Sequence, residues 1–237
     1  MRTIDVSLPG GRVAFSTRRG GVSEGPYQSL NLGILTDDDQ ARVAENRNLL
    51  AGDVGIDPQR VAMGWQVHGS ELREWDEAPS GGGYASPGAE LEKVDGHVTS
   101  VAGLGLLVLV ADCLPVALMA PGRAAMLHCG WRPLASGIVE RALAAFDEPP
   151  AAAIGPGIGR CCYEVGEEVL AEFADLEGVA DGRMLDLRMV TRRKLEAAGV
   201  TRIEDVDLCT SCREDLFFSH RRDKGVTGRQ GGFAWLT

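Results

Sequence analysis

The chain has no apolar run approaching the roughly 20 residues that span a bilayer, which argues against a membrane role. Nor is positive charge in excess: 24 Lys and Arg stand against 34 Asp and Glu, a formal net charge of -10. Nonspecific nucleic-acid binding needs clustered cations against phosphate, so the balance argues against that class while leaving room for a small anion held by local arginines. Histidine is scarce, with four in 237 residues and no His-x-His pair. A multicopper oxidase builds several imidazole-rich centres, conventionally from about ten histidines, and fails here on count. Residues 1–10 lack the basic start and apolar stretch of a secretory signal, so the chain is expected to stay in the cytosol with its six cysteines reduced.

Those cysteines resemble no disulfide framework. Cys161 and Cys162 are adjacent, Cys113 and Cys129 stand apart, and Cys209-Thr210-Ser211-Cys212 is the only Cys-x-x-Cys spacing. With no second such pair to complete four ligands, this spacing is expected to be structural or incidental.

A chain of 237 residues buries a sizeable core, and one domain over 1–237 is the expected organisation. Residues 12–17 alternate as a strand before the turn Arg18-Arg19-Gly20-Gly21. Asp37 to Asp39 offer caps for a helix to about Leu50, and 61–67 read as a short strand. The Gly- and Pro-rich stretch 79–88 reads as a loop. Near-continuous apolar segments at 96–99, 104–111, 116–120 and 124–128 predict strands covered on both faces. Helices are expected over 133–146, around Val165, Val169, Phe173 and Leu176, and over 186–198 with Asp186 as cap and Gly199 past the end. The last 30 residues are expected to hold short strands and turns.

His68, Cys113 and His128 each lie where an apolar segment breaks into turn chemistry. Catalytic zinc commonly takes three protein ligands and keeps a fourth position for water or substrate, and a His-Cys-His set meets that count. Asp95 and Asp112 flank the region and could orient a ligand histidine or accept protons. His97, alone on an apolar strand, reads first as a core histidine. His128 is expected at a strand-to-helix junction, where backbone N–H groups and the added charge of Arg132 favour an anion. Arg18 and the Arg221-Arg222 pair could hold phosphate through forked hydrogen bonds. The faces of Trp131 and Tyr163 could stack a base or serve packing.

The ordered motifs Phe15-Ser16-Thr17-Arg18-Arg19-Gly20-Gly21-Val22-Ser23, Ser29-Leu30-Asn31-Leu32-Gly33, Gln66-Val67-His68-Gly69, Ala111-Asp112-Cys113-Leu114-Pro115, His128-Cys129-Gly130-Trp131-Arg132, Tyr163-Glu164-Val165-Gly166 and Phe217-Phe218-Ser219 span nearly the whole chain. Together they resemble the multicopper polyphenol oxidase (laccase) family, the YfiH-like proteins. The resemblance implies an α+β fold, a sandwich of mixed sheets flanked by helices, with zinc ligands at His68, Cys113 and His128. It implies phosphorolysis of adenosine, inosine, guanosine and methylthioadenosine, together with adenosine deamination. Arg18, Asn31, Gln66 and Arg132 lie in these motifs and are the candidates for holding substrate or phosphate. Three positions depart from the pattern: Cys129 for alanine, Pro133 for glycine and His220 for tyrosine. Cys129 would put a second sulfur beside the site and leave the choice between zinc and copper open.

Phosphorolysis fits these residues if arginines and turn N–H groups hold phosphate while a metal organises the reactants, with Asp95 or a metal-bound water as acid for the departing purine. Water activated by a metal would equally suit attack on C6 of adenosine. A second class is a Cys113–histidine nucleophile that hydrolyses cell-wall (peptidoglycan) precursors, and a third is a noncatalytic metal or nucleotide binder. The expected partners are purine nucleosides and phosphate, with no nucleic acid, no membrane and no obligate protein partner.

Overall fold

The computed structural model describes residues 1–80, 82–85 and 91–237, so the loop read over 79–88 lies partly outside the described residues. Its frame is two sheets, with a short antiparallel pair, β10 (Ala180–Asp181) and β11 (Met184–Leu185), beside them. The first has five strands in the order β1 (Thr3–Leu8), β2 (Gly11–Ser16), β13 (Gln230–Leu236), β6 (Gly105–Val110) and β3 (Val61–Ala62). The second has six, in the order β12 (Ile203–Asp205), β9 (Ala151–Ile154), β7 (Leu114–Ala120), β8 (Arg123–Cys129), β5 (Gly96–Thr99) and β4 (Leu72–Trp75). Both are mixed: β3 runs parallel to β6, β4 to β5 and β12 to β9, and the other pairings of these two sheets are antiparallel.

Side chains alternate across a strand, and apolar residues of both parities explain why these segments read as continuous hydrophobic runs. Val13, Phe15, Leu106, Val108, Ala117, Met119, Ala124 and Met126 form the seam between the sheets. The intervening residues Val116, Leu118, Ala125 and Leu127 face the other way, against α2 (Trp131–Ala135), α3 (Ile138–Leu143) and α5 (Leu187–Ala197). Ala14, Leu107 and Phe233 likewise meet α1 (Gln40–Val54) through Leu50, Ala51 and Val54. The result is the expected α+β sandwich of mixed sheets with helices outside. Burial at about 25 cal/mol per Å² across three apolar layers is its main stabilising term.

Local chemistry sets the boundaries. The Asp39 carboxylate accepts from the Ala41 and Arg42 N–H groups and starts α1, and Asp186 caps α5 by accepting from Met189 N–H. The helix expected over 133–146 is instead two short ones, because the chain turns at Gly137 with φ 82°. The helix expected through Leu176 shrinks to α4 (Glu167–Ala171), yet Val165, Val169 and Phe173 still pack in the core. The strand expected over 61–67 pairs only at Val61 and Ala62, freeing the segment that follows to carry His68. Sequence reading missed β9, whose alanines lack strand propensity. Their small side chains fit both faces of a sheet that is covered on each side. No helix of the described residues is long and apolar enough to cross a membrane.

A candidate metal centre at the open end of a hairpin

β7 and β8 pair from Ala120 and Arg123 at their connecting turn to Leu114 and Cys129 at the far end. That open end places Cys113, just before β7, beside His128 on β8. The loop after β3 brings His68 to the same point, its ring centroid 4.8 Å from that of His128 in an edge-on arrangement. The ligand atoms of His68, Cys113 and His128 all lie within 4.8 Å of one another. Zinc bonds of about 2.0–2.3 Å to nitrogen and sulfur place tetrahedral ligand atoms about 3.3–3.6 Å apart, a spacing inside that bound. The donor set, soft sulfur with two imidazoles, suits zinc and also copper. Gly130 completes the cradle, since a Cβ there would stand 2.8 Å from the Cys113 sulfur.

Asp95 organises the centre from behind. It is fully buried, and its two oxygens accept from the N–H groups of Val67, His68 and Gly69 and from His128 Nδ1 at 2.8–3.0 Å. His128 Nδ1 is thereby committed, and Nε2 remains for a ligand. Burial acts to raise the Asp95 carboxyl, but the His128 bond and the Gly69 and Val67 amides outweigh it and hold it below its ordinary value. The general-acid role expected for Asp95 would require one of these bonds to break, since both oxygens are engaged by the four donors, an arrangement suited to holding His128 in place.

Burial likewise pushes the Cys113 thiol up, yet His128 and His68 prevail and bring it down to about 6. His128 shows the converse: burial lowers it, while Cys113 and Asp95 raise it to about 9. The group of side chains therefore favours a thiolate, the form that ligates metal or attacks carbon.

Two non-glycine residues here have left-handed backbone, His68 at φ 59° and Asp112 at φ 92°. Such conformations persist where surrounding bonds over-determine them. For Asp112 those bonds are visible: Oδ1 accepts from Thr210 Oγ1 at 2.6 Å, Oδ2 from Arg221 N–H at 2.7 Å, and its carbonyl from Ile158 N–H at 2.8 Å. Asp112 thus caps a turn and delivers Cys113.

The three candidate ligands open into a cavity of about 650 Å³, within the usual range for small-molecule sites. Its walls combine apolar and aromatic groups (Ile34, Met63, Trp65, Leu109, Trp131, Tyr163) with Arg132, Arg221 and Arg229. The Arg132 guanidinium lies 4.4 Å from the Trp131 ring and that of Arg221 5.1 Å from Tyr163. Gln66 also lines the cavity, but its amide is spent on both the N–H and the carbonyl of Leu109, so it shapes the wall.

The other expected residues lie elsewhere. Arg18 borders a separate cleft of about 600 Å³ with Arg19, Gln28, Glu214 and Cys212, its Nε donating to the Gln28 carbonyl and its face on Phe218. Asn31 is fully buried, donating to Thr36 and Asp38 and accepting from the Gly33 and Arg229 amides, and so fixes the loop beside the cavity. Arg222 turns inward to the Thr210 and Phe217 carbonyls and to Asp223. Cys129 faces the helix layer, opposite His128, so the second sulfur expected beside the site is directed away from it. His97 is a core histidine whose Nδ1 accepts from Trp75 Nε1 at 3.2 Å. Arg229 was missed because nothing in its neighbourhood on the chain marks it. Its place comes from β13 entering the middle of the first sheet.

Residues 12–237 match the family described as multi-copper polyphenol oxidoreductase laccase. Among curated relatives, the purine nucleoside phosphorylase SCO2081 of Streptomyces coelicolor is 40% identical over 97% of this chain and 97% of its own. The purine nucleoside phosphorylase YlmD of Geobacillus stearothermophilus is 36% identical over 94% of this chain and 89% of its own. The crystal structure of Bacillus licheniformis hypothetical protein YfiH superposes with a TM-score of 0.90 at 32% identity, covering 96% of this chain and 93% of that one. Shared sequence along nearly the full length and a shared fold lead to one conclusion: the chain belongs to the multi-copper polyphenol oxidoreductase laccase family, in its YfiH/YlmD branch.

Proposed function

We propose that this chain is a zinc-dependent purine nucleoside phosphorylase that converts adenosine, inosine, guanosine or methylthioadenosine and phosphate into the free base and a ribose 1-phosphate, and that it also deaminates adenosine. The carrying observation is a three-ligand set at the base of a cavity that also presents three arginines. The names of its relatives support the reaction class. Four histidines in the whole chain speak against the several copper centres that the family description evokes.

In this reading His68, Cys113 and His128 hold the metal. Once bound, zinc supplies a Lewis acid with an open position, useful both for organising phosphate and for activating water; copper is the alternative ion. Asp95 keeps the His128 ring in one orientation and tautomer. Arg132 offers its exposed guanidinium to phosphate, joined by Arg221 and Arg229, which each spend one nitrogen on carbonyls and keep other N–H donors. Trp131 and Tyr163 give flat apolar faces for the base, and the apolar walls exclude water that would compete with phosphate.

One observation favours a second reading. Asp95, His128 and Cys113 form a carboxylate–imidazole–thiol chain, which is also the arrangement of a cysteine hydrolase acting on peptidoglycan precursors. Metal content separates the two, since zinc bound at Cys113 occupies the sulfur that would attack. The test is hypoxanthine release from inosine by protein of known metal content: phosphorolysis requires both zinc and phosphate, and a metal-free protein that still releases base refutes it.

A further inference from the structure

Cys161 and Cys162 lie in the turn after β9, and Cys209 and Cys212 in the segment between β12 and β13. Spacing alone left Cys209 and Cys212 without a second pair, and the fold supplies it: the four sulfurs lie within 4.8 Å of one another. Cys212 Sγ stands 3.5 Å from Cys161 Sγ and 3.4 Å from Cys162 Sγ. Four thiolates bound at about 2.3 Å to one tetrahedral ion are about 3.8 Å apart, so the cage has the size of a single ion. A polynuclear iron–sulfur cluster would spread the same sulfurs further. A disulfide would need one preferred partner for Cys212, whereas two sulfurs approach it equally.

The surroundings are built to hold this cage. Gly157 and Cys209 form a parallel bridge, with Thr210 N–H donating to the Gly157 carbonyl at 3.0 Å. Gly159 N–H donates to Cys209 Sγ at 3.2 Å, the kind of bond that stabilises a thiolate. A Cβ on Gly159 would stand 3.2 Å from Cys209 Cβ and 3.3 Å from Cys161 Sγ, so a larger residue would press into the cage. Cys161 and Cys212 are exposed, which gives an ion a way in.

We propose that Cys161, Cys162, Cys209 and Cys212 hold a second zinc ion in a closed tetrathiolate site. With four protein ligands it has no position for substrate, so its role is structural. It fastens the turn after β9 to the segment that carries Thr210, and Thr210 and Ile158 both hold Asp112, the neighbour of Cys113. The second ion thereby supports the loop that presents the first ion's sulfur.

The test counts metal in the full-length protein, loaded with zinc and dialysed against a weak chelator. Wild type is expected to retain two zinc ions per chain, and Cys161→Ser/Cys212→Ser and Cys113→Ala one each. Cobalt bound to the Cys113→Ala protein is expected to show the strong sulfur-to-cobalt and tetrahedral bands of four thiolates. Should the double serine variant fail to fold, Cys113→Ala alone decides the matter, because it keeps all four cysteines. A Cys113→Ala protein without metal, one that holds iron in place of zinc, or an intact mass lower by the hydrogens of a disulfide between these cysteines overturns the proposal. None of these readouts depends on nucleoside turnover, so the site stands or falls apart from the proposed reaction.

Discussion

The two sulfur-bearing clusters differ in how the fold makes them. His68, Cys113 and His128 meet at the end of the seam between two sheets, with Asp95 behind them and a cavity in front. Cys161, Cys162, Cys209 and Cys212 meet near the surface, where two irregular segments cross. Three ligands and an open side suit chemistry, while four ligands, which fill a tetrahedral shell, suit fastening. On this reading the chain uses similar donor atoms for opposite ends, with the number of ligands deciding which.

The sharpest way to break this contrast is to remove one ligand from the open centre. Cys113→Ala or His128→Ala is expected to abolish phosphorolysis, by at least about 100-fold, while the protein stays folded and keeps metal at the four cysteines. Metal and activity surviving together in either variant would contradict the assignment. Asp95→Asn tests the support behind that centre: an amide NH₂ would be forced against backbone N–H groups or His128 Nδ1–H, and metal affinity should fall about 10–100-fold. Affinity equal to wild type would show that Asp95 does not hold the histidine.

Arg132→Ala probes the cavity side. Steady-state kinetics should show the KM for phosphate rising by about 10-fold with a smaller change for the nucleoside, and equal changes in both would remove Arg132 from the anion site. The smallest functional effect is expected at His97, which touches no proposed substrate and tests the frame shared by both clusters. Burial, with Arg73 adding to it and Asp95 opposing, brings His97 down to about 3. The unfolded chain takes up this proton near pH 6.5 and the folded chain does not, so stability falls as pH drops from about 6.5 toward 3. Denaturant unfolding should lose about 2 kcal/mol between pH 7 and pH 5 on this account, and His97→Gln should flatten that slope.

Much of the open centre was legible because strand ends carry their own signals. His128 and Cys113 terminate apolar runs, and Gly130 and Pro133 mark the turn into α2. Fold class was legible for the same reason, since residues of both parities at 104–111 and 116–120 are apolar and demand cover on two faces. Asp95 was legible as a neighbour but not as a hub, because its three amide donors come from residues 67–69, across a loop whose path no local pattern sets. The four-cysteine cluster was hidden by distance along the chain: Cys161 and Cys212 are 51 residues apart, and the parallel pairing of β12 with β9, continued by the Gly157–Cys209 bridge, brings their segments side by side. The place of Arg18 was not legible: its Gly-rich turn looks like an anion loop beside the centre, whereas the fold sets it on a separate cleft with two of its nitrogens on carbonyls and its face on the Phe218 ring.

The central claim is that metal at His68, Cys113 and His128 and phosphate held beside it act together on a purine nucleoside. Hypoxanthine release from inosine, followed with and without phosphate in protein whose zinc content has been measured before and after chelation, tests it directly. Release that needs phosphate, disappears with the zinc and returns on its replacement is the predicted result; release without phosphate, or at full rate from the metal-free protein, would contradict it.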